Sequence, residues 1–163
     1  MTDRMAALST LAMHDVPQRQ VALDDFYGRY SADPLIIDKW LALQAAIPET
    51  RTLDRVKALT AHPAFSMSNP NRVRSLIGAF AQANATQFNR ADGAGYDFVA
   101  ERILELDGKN PQVAARLMTA FRSWRALESG RRDRAKAALQ RVDAATSLSV
   151  DVKDIVSRAL ADG

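Results

Sequence analysis

Apolar residues along the chain recur at three- and four-residue spacings, the periodicity of one face of an α-helix. The densest example follows Asp33-Pro34 and ends before Pro48. Its apolar positions are Leu35, Ile36, Ile37, Trp40, Leu41, Leu43 and Ile47. A helix that is apolar over so much of its circumference is typical of burial between neighbours. No segment alternates apolar and polar residues with the period of a half-buried strand, so the pattern predicts an all-α protein.

Prolines and capping residues mark where the predicted helices begin. Pro34, Pro70 and Pro111 each follow an Asp or Asn, which favours a capped helix start with proline in the first turn. The predicted helices cover about 3–13, 17–31, 34–47, 52–60, 70–83, 94–107, 111–128, 131–144 and 150–161. Thr2 and Ser149 are expected to cap the first and last of them, and the helix from Pro111 is expected to be the longest.

The three helix-opening prolines lie 36 and 41 residues apart, close to the period of HEAT and armadillo repeats. The sequence therefore predicts an irregular α-solenoid of about eight helices in antiparallel hairpins. We expect one helical domain over residues 1–163. Trp40 and Trp124 lie in dense apolar stripes and are expected in its core, and Val21, Leu23, Phe26, Tyr27 and Tyr30 are expected to be buried along the second helix.

Composition excludes several classes of site. The 163 residues include no cysteine, which removes disulfides, zinc ribbons and cysteine nucleophiles. Of the two histidines, His14 and His62, neither lies in an HExxH motif, and Glu101 and Glu105 share a helix face without a histidine. We therefore expect no catalytic residue and no metal site in this chain. No apolar run approaches the roughly 18–20 residues that span a bilayer, so we expect a cytoplasmic protein without a membrane partner.

Positive charge is concentrated in one part of the chain. The net charge is +3, but residues 109–141 contain nine basic and two acidic side chains, a net +7. Such a stretch is most often a solvated helix face, and it is also able to attract acidic peptides or RNA.

Two predicted helices have polar flanks beside their apolar faces. Gln112 and Arg116 point the same way from the positive N-terminal end of the helix opened by Pro111, a suitable place for an anionic or carbonyl group. Arg74 lies on a flank of the helix opened by Pro70, and Gly78, one turn later, suggests close approach of a backbone or ligand. From spacing alone, the alternative is that these arginines are surface charges over an apolar edge.

Three sequence motifs, in this order along the chain, are typical of a known protein family. They are HPAFSMSNPNRVRSLIGAFA at 62–81, the FNxxDGxGYxF loop at 88–98, and NPQVAAR at 110–116. Together with MTDRMAALS at the start and DKWLALQA at 38–45, they resemble the C-terminal helical domain of the bacterial aminopeptidase N family, zinc metallopeptidases of the M1 class. The resemblance covers nearly the whole chain and weakens after about Arg125.

The resemblance implies that this chain is the C-terminal fragment of a larger enzyme. In that family the zinc and all catalytic motifs lie in an upstream domain, and the C-terminal domain caps the active site and restricts access to short peptides. It implies that Gln112 and Arg116 line the substrate cavity near the first side-chain subsite and that Arg74 faces the same cavity. The expected partners are the upstream catalytic domain and short peptides, and nucleic acid is not expected.

Two functions therefore remain open. The first is the capping and substrate-channel domain of a zinc aminopeptidase, with no catalysis by the isolated chain and no cofactor of its own. The second is an independent helical-repeat module that binds acidic peptide or RNA through residues 109–141, although no recognised nucleic-acid motif occurs there.

Overall fold

The computed structural model describes residues 1–161, and within them every regular element is helical. The chain divides into two compact units, Met1–Asn84 and a second that begins at Ala85. The first contains α1 (Thr2–Ala12), α2 (Gln18–Tyr30), α3 (Pro34–Ala45), α4 (Thr52–Leu59), α5 (Pro70–Val73) and α6 (Ala79–Ala83). The second contains α7 (Ala85–Phe88), α8 (Ala94–Asp107), α9 (Pro111–Met118), α10 (Ser129–Asp143) and α11 (Val150–Ala161). The prediction of an all-α fold is confirmed.

The predicted Asp/Asn-Pro helix starts are present at α3, α5 and α9. Asp33 Oδ1 accepts hydrogen bonds from the backbone N–H groups of the second and third helical residues, at 3.0 and 3.3 Å, and Asn69 does the same at α5. Asn110 Oδ1 accepts from Val113 N at 3.2 Å. The predicted cap at Thr2 is wrong, because α1 begins at Thr2 and Met1 occupies the cap position without a side-chain bond.

Helix α3 is the centre of the first unit. Trp40 is 3% exposed, and its indole Nε1 donates to Leu23 O at 2.9 Å. The Trp40 ring lies 5.0 Å from the Tyr27 ring and 5.3 Å from the His62 ring, measured between centroids. His62 belongs to this aromatic cluster, since its ring also lies 4.7 Å from that of Tyr27. Its Nδ1 accepts a hydrogen bond from Ala64 N. The predicted burial of Trp40 is confirmed.

The predicted burial of Val21 is wrong, because its side chain is 69% exposed. Successive helical residues are rotated by about 100°, so Val21 and Leu23 point to nearly opposite sides of α2. Leu23 and Phe26 occupy the buried side. Hydrophobicity alone did not distinguish the two sides at this position.

A buried arginine ties three segments of the first unit together. Arg19 is 4% exposed; its Nη2 lies 2.9 and 3.0 Å from the two carboxylate oxygens of Glu49, and its Nη1 donates to Ala12 O. These bonds join the end of α1 and the start of α2 to the loop before α4. Removing Glu49 would leave the buried Arg19 charge with only the exposed Asp15 carboxylate, at 3.2 Å, as its ionic partner, which is usually destabilising.

In the second unit, α7 and α8 meet at a close backbone approach at Gly95. A Cβ on Gly95 would lie 2.3 Å from Phe88 O and 2.6 Å from Gln87 O, so no side chain fits there. Gly93, two residues earlier, has φ +78°, a conformation that favours glycine. Next in the chain, Tyr96 donates from its hydroxyl to Asn89 Oδ1 at 2.9 Å, and burial raises the pKa of Tyr96 to about 12.

A buried carboxylate links α8 to the start of α11. Asp107 is 5% exposed; it accepts from Ser149 N at 2.7 Å and also from the Ser149 hydroxyl. The Ser149 hydroxyl oxygen accepts in turn from Val152 N at 3.2 Å, which confirms the predicted cap of α11.

The predicted long helix from Pro111 to about Glu128 is wrong. Helix α9 ends at Met118, and two short 3₁₀ turns follow at Thr119–Phe121 and Trp124–Ala126. Trp124 Nε1 donates to Ala159 O at 3.2 Å, and Arg125 Nη2 donates to Ala159 O and Leu160 O at 3.0 and 3.2 Å. The segment therefore provides hydrogen-bond donors to backbone carbonyls at the end of α11, which have no partner within their own helix.

Truncation of either tryptophan should be costly. Both indole rings are buried and hydrogen-bonded, so Trp40→Ala and Trp124→Ala should each lower the free energy of unfolding by about 3–5 kcal/mol. Denaturant unfolding followed by circular dichroism measures this loss. Leu35→Ala is the matched control, because Leu35 is 70% exposed and its loss should cost less than about 0.5 kcal/mol. A loss under about 1 kcal/mol for both tryptophans would contradict the assigned core.

Gly95 should tolerate no side chain. Gly95→Ala would place a Cβ against the Phe88 and Gln87 carbonyl oxygens and should cost about 1–3 kcal/mol or more through overpacking. Gly108→Ala is the control, since a Cβ there meets nothing within 4 Å and φ is −71°. Equal unfolding midpoints for the two variants in urea would refute the close approach.

Candidate functional site

Helix α9 presents Gln112 and Arg116 on one exposed face. The Asn110 cap and Pro111 fix where the helix begins, so Gln112 lies in its first turn and Arg116 one turn later. Within the described residues neither side chain forms a hydrogen bond or an ion pair. The opposite face of α9 buries Ala114, Leu117 and Met118. The structure therefore brings these two predicted site residues together and leaves their polar ends free.

Arg74 is placed differently from the other predicted site residues. It lies in the first unit, at the start of a π-helical turn, Arg74–Gly78, that separates α5 from α6. Its guanidinium donates from Nη2 to Asn71 Oδ1 and from Nε to Pro70 O at 3.3 Å. The side chain is exposed and folded back on the start of its own helix, so a ligand would have to compete with these bonds.

Most of the basic side chains in residues 109–141 are already engaged. Lys109 pairs with Glu105 at 3.2 Å, Arg131 donates to Asn89 O at 2.6 Å, and Arg134 donates to Asp92 O at 3.0 Å. Arg125 binds the α11 carbonyls, and Arg141 pairs with Asp97. Four exposed basic side chains in this stretch form no hydrogen bond or ion pair with any described residue: Arg116, Arg122, Arg132 and Lys136.

One of these four, Arg122, borders an open groove between the end of α9 and α11. The groove has a volume of about 400 Å³, and we call it the α9–α11 groove. Its lining residues are Met118, Thr119, Phe121, Arg122, Trp124, Arg125, Ile155, Arg158 and Ala159. The lining thus combines an apolar floor with three arginines and contains no carboxylate.

The three arginines of the groove differ in how far their charge is balanced. The Arg125 guanidinium carbon lies 4.5 Å from the Trp124 ring centroid while its Nη2 binds carbonyls of α11. Arg158 Nε pairs with Asp154 Oδ1 at 3.0 Å. Arg122 has neither arrangement, so its charge is the one available to a ligand.

Sequence reasoning did not single out Arg122 as a functional residue. Its place in the basic stretch was the one available signal. The predicted long helix gave no reason to distinguish Arg122 from the other arginines of that stretch. Only the end of α9 at Met118 and the return of Trp124 to α11 create the groove beside it.

Residues 1–161 contain no group of three or more His, Asp or Glu side chains that would hold a metal ion. Glu105, one of the two carboxylates that share a face of α8, is instead paired with Arg102 at 3.1 Å and with Lys109. Nor is any helix among the described residues long and apolar enough to cross a membrane.

Comparison with curated proteins identifies a consistent group of relatives. The chain is 38% identical to aminopeptidase N of Escherichia coli over 161 residues and 42% identical to that of Caulobacter vibrioides, also over 161. Aminopeptidase N of Haemophilus influenzae is 39% identical over 160 residues. In each case the match covers 98–99% of this chain but only 18% of the relative, at the C-terminal end.

A solved structure agrees with these sequence matches. The crystal structure of Legionella pneumophila aminopeptidase A in complex with aspartic acid superposes with a TM-score of 0.93 at 34% identity. The superposition covers 100% of this chain and 19% of that one. The resemblance to the C-terminal helical part of bacterial aminopeptidase N is thus confirmed.

A family model matches residues 1–161, and its description is "Domain of unknown function (DUF3458_C) ARM repeats". That description agrees with the armadillo-like architecture predicted from the spacing of the helix-opening prolines. Because the match extends over the whole described chain, this protein belongs to the DUF3458_C family of ARM-repeat domains.

Proposed function

We propose that this chain is the capping and substrate-channel domain of a zinc aminopeptidase that removes N-terminal amino acids from short peptides. Its similarity to the C-terminal 18% of several aminopeptidases N supports a non-catalytic part of such an enzyme. The Legionella relative was solved with aspartic acid, a free amino acid of the kind that an aminopeptidase releases. On this proposal the rest of the polypeptide is the partner that carries out the chemistry.

The observation that carries the proposal is the exposed pair Gln112 and Arg116 on α9. Both side chains are exposed, and neither is engaged by another described residue. The Gln112 amide both donates and accepts, and the Arg116 guanidinium donates in a fork that matches a carboxylate. The positive end of the α9 dipole adds a favourable field for an anionic or carbonyl group. We assign these residues to the cavity wall, where they bind and orient a peptide.

Arg74, in the first unit, is proposed by itself as a further residue that faces substrate. Its bonds to Asn71 and Pro70 hold the guanidinium against the start of α5. In the proposed function Arg74 therefore contributes a fixed positive charge, while Arg116 provides the free guanidinium.

The zinc of the proposed enzyme does not fit among the described residues of this chain, since they contain no suitable ligand group. We assign the metal to the part of the polypeptide outside this chain. The contribution of this domain is binding, orientation and restriction of access.

Loss of Arg116 should weaken peptide binding more than it slows turnover. In the full-length enzyme, Arg116→Ala should raise KM with little change in kcat, because removal of uniform binding has that kinetic signature. The loss should be about 1–3 kcal/mol, since a hydrated arginine gives less than a desolvated ion pair. Steady-state kinetics on short peptides measure it, with Arg132→Ala as a control at another exposed, unengaged arginine. A wild-type KM for the Arg116 variant would contradict the proposed role and would indicate that Arg116 is only a surface charge.

Loss of the Gln112 amide should change specificity. A wall of a side-chain subsite acts through contact and desolvation differences between substrates, so Gln112→Ala should alter the ranking of N-terminal residues by kcat/KM. A panel of dipeptides that differ only in the N-terminal residue reveals this ranking. An unchanged order across the panel would argue against a subsite wall.

The isolated chain should be inactive. We expect it to fold as an all-α protein, to hydrolyse no N-terminal peptide bond and to hold no stoichiometric zinc, because it offers no ligand set. Hydrolysis of an alanyl chromogenic substrate, together with elemental analysis of the purified chain, tests both points. Turnover that survives purification and is abolished by a chelator would overturn the assignment.

A further inference from the structure

We propose that the α9–α11 groove binds the C-terminal residue of a short peptide, with its apolar side chain on the groove floor and its carboxylate on Arg122. The inference deepens the proposed function and rests on it only for the source of the peptide. The contacts that carry it lie entirely in the second unit.

The floor of the groove selects an apolar side chain. Met118, Phe121 and Trp124 contribute well-packed, largely buried side chains, and Ile155 and Ala159 complete the apolar surface from α11. A volume of about 400 Å³ is enough for one large side chain and the backbone that carries it.

The rim of the groove selects an anion. Arg122, Arg125 and Arg158 all border it, and no lining residue carries a negative charge. Asp154 lies just outside and balances Arg158, whereas Arg122 has no partner among the described residues. A carboxylate placed on Arg122 gains a charge-assisted bond without displacing an existing one.

An apolar side chain joined directly to a carboxylate is the chemistry of a C-terminal amino-acid residue. A free amino acid carries the same two groups but adds an ammonium, which three arginines would repel. An acylated or peptide-linked nitrogen lacks that charge. The groove therefore favours a peptide C-terminus over a released amino acid.

The position of Arg122 relative to Arg116 suits a short peptide. Three α-helical and three 3₁₀ steps separate the two residues, a rise of about 10 Å along the segment. An extended peptide rises about 3.3 Å per residue, so this distance spans about three residues. The rise along this segment therefore equals the length of a tripeptide or tetrapeptide.

The groove has a built-in reporter. The chain contains two tryptophans, so Trp40→Phe leaves Trp124 as the single source of indole fluorescence. The probe is acetyl-Ala-Ala-Leu with a free carboxylate, and the matched probe is the same peptide with a C-terminal amide. We expect saturable quenching or shift of Trp124 emission with the acid, and binding of the amide that is at least about fivefold weaker.

Substitutions then assign the carboxylate contact. Arg122→Gln should abolish the preference for acid over amide, and Arg132→Gln, at an exposed arginine in α10, should leave it unchanged. Acetyl-Ala-Ala-Gly should bind at least about fivefold more weakly than the leucine peptide. Equal binding of acid and amide, or a preference that survives Arg122→Gln, would overturn the proposal.

A second measurement guards against instability of the Trp40→Phe variant. Amide shifts in ¹⁵N spectra of the unsubstituted chain should change on peptide addition at residues 118–125 and 155–159. Shifts confined to other segments would overturn the proposal. These assays need no peptidase activity, so their failure is distinct from wild-type kinetics of the Gln112 and Arg116 variants, which would count against the proposed function alone.

Discussion

The start of each helix after an Asp-Pro or Asn-Pro pair is the constraint on which the rest of the architecture depends. A helix leaves its first backbone N–H groups without partners, and an Asp or Asn side chain at the cap satisfies them while proline needs no donor. Asp33, Asn69 and Asn110 all act in this way. Fixing the first residue of a helix also fixes which residues lie on each of its faces. Trp40 and Leu117 therefore lie on buried faces, and Gln112 and Arg116 lie on an exposed face.

The second structural decision is the end of α9. An unbroken helix to Glu128 would have kept Phe121 and Trp124 on one stripe and left the carbonyls at the end of α11 to water. The 3₁₀ turns instead bring Trp124 and Arg125 onto those carbonyls, where hydrogen bonds and the stacking of Arg125 on Trp124 hold the segment. Because α9 ends at Met118 and this segment packs on the end of α11, the α9–α11 groove forms with the unengaged Arg122 at its border.

The distribution of charge in the folded chain bears on the two functions that the sequence left open. A net +7 over residues 109–141 suggested a general surface for acidic peptide or RNA. In the folded chain, carboxylates from α8 and backbone carbonyls from the loop before it neutralise or occupy much of that charge, as at Arg141 and Arg134. The unengaged basic side chains are divided between two elements, with Arg116 and Arg122 in the segment from α9 and Arg132 and Lys136 on α10. We propose that such a division suits recognition of small anionic groups better than that of a continuous polyanion.

The sequence by itself determined the helical class, the capped starts, the buried tryptophans and the exposed pair on α9. These follow from local rules: apolar periodicity, the chemistry of Asp/Asn-Pro, and a four-residue step on one helix face. It did not determine that Val21 lies outside, that Gly95 marks a close backbone contact, or that α9 stops at Met118. The last two depend on groups in other elements, namely the carbonyls of Phe88 for Gly95 and of Ala159 for Trp124. Tertiary structure decided them because only the fold brings these partners within contact distance.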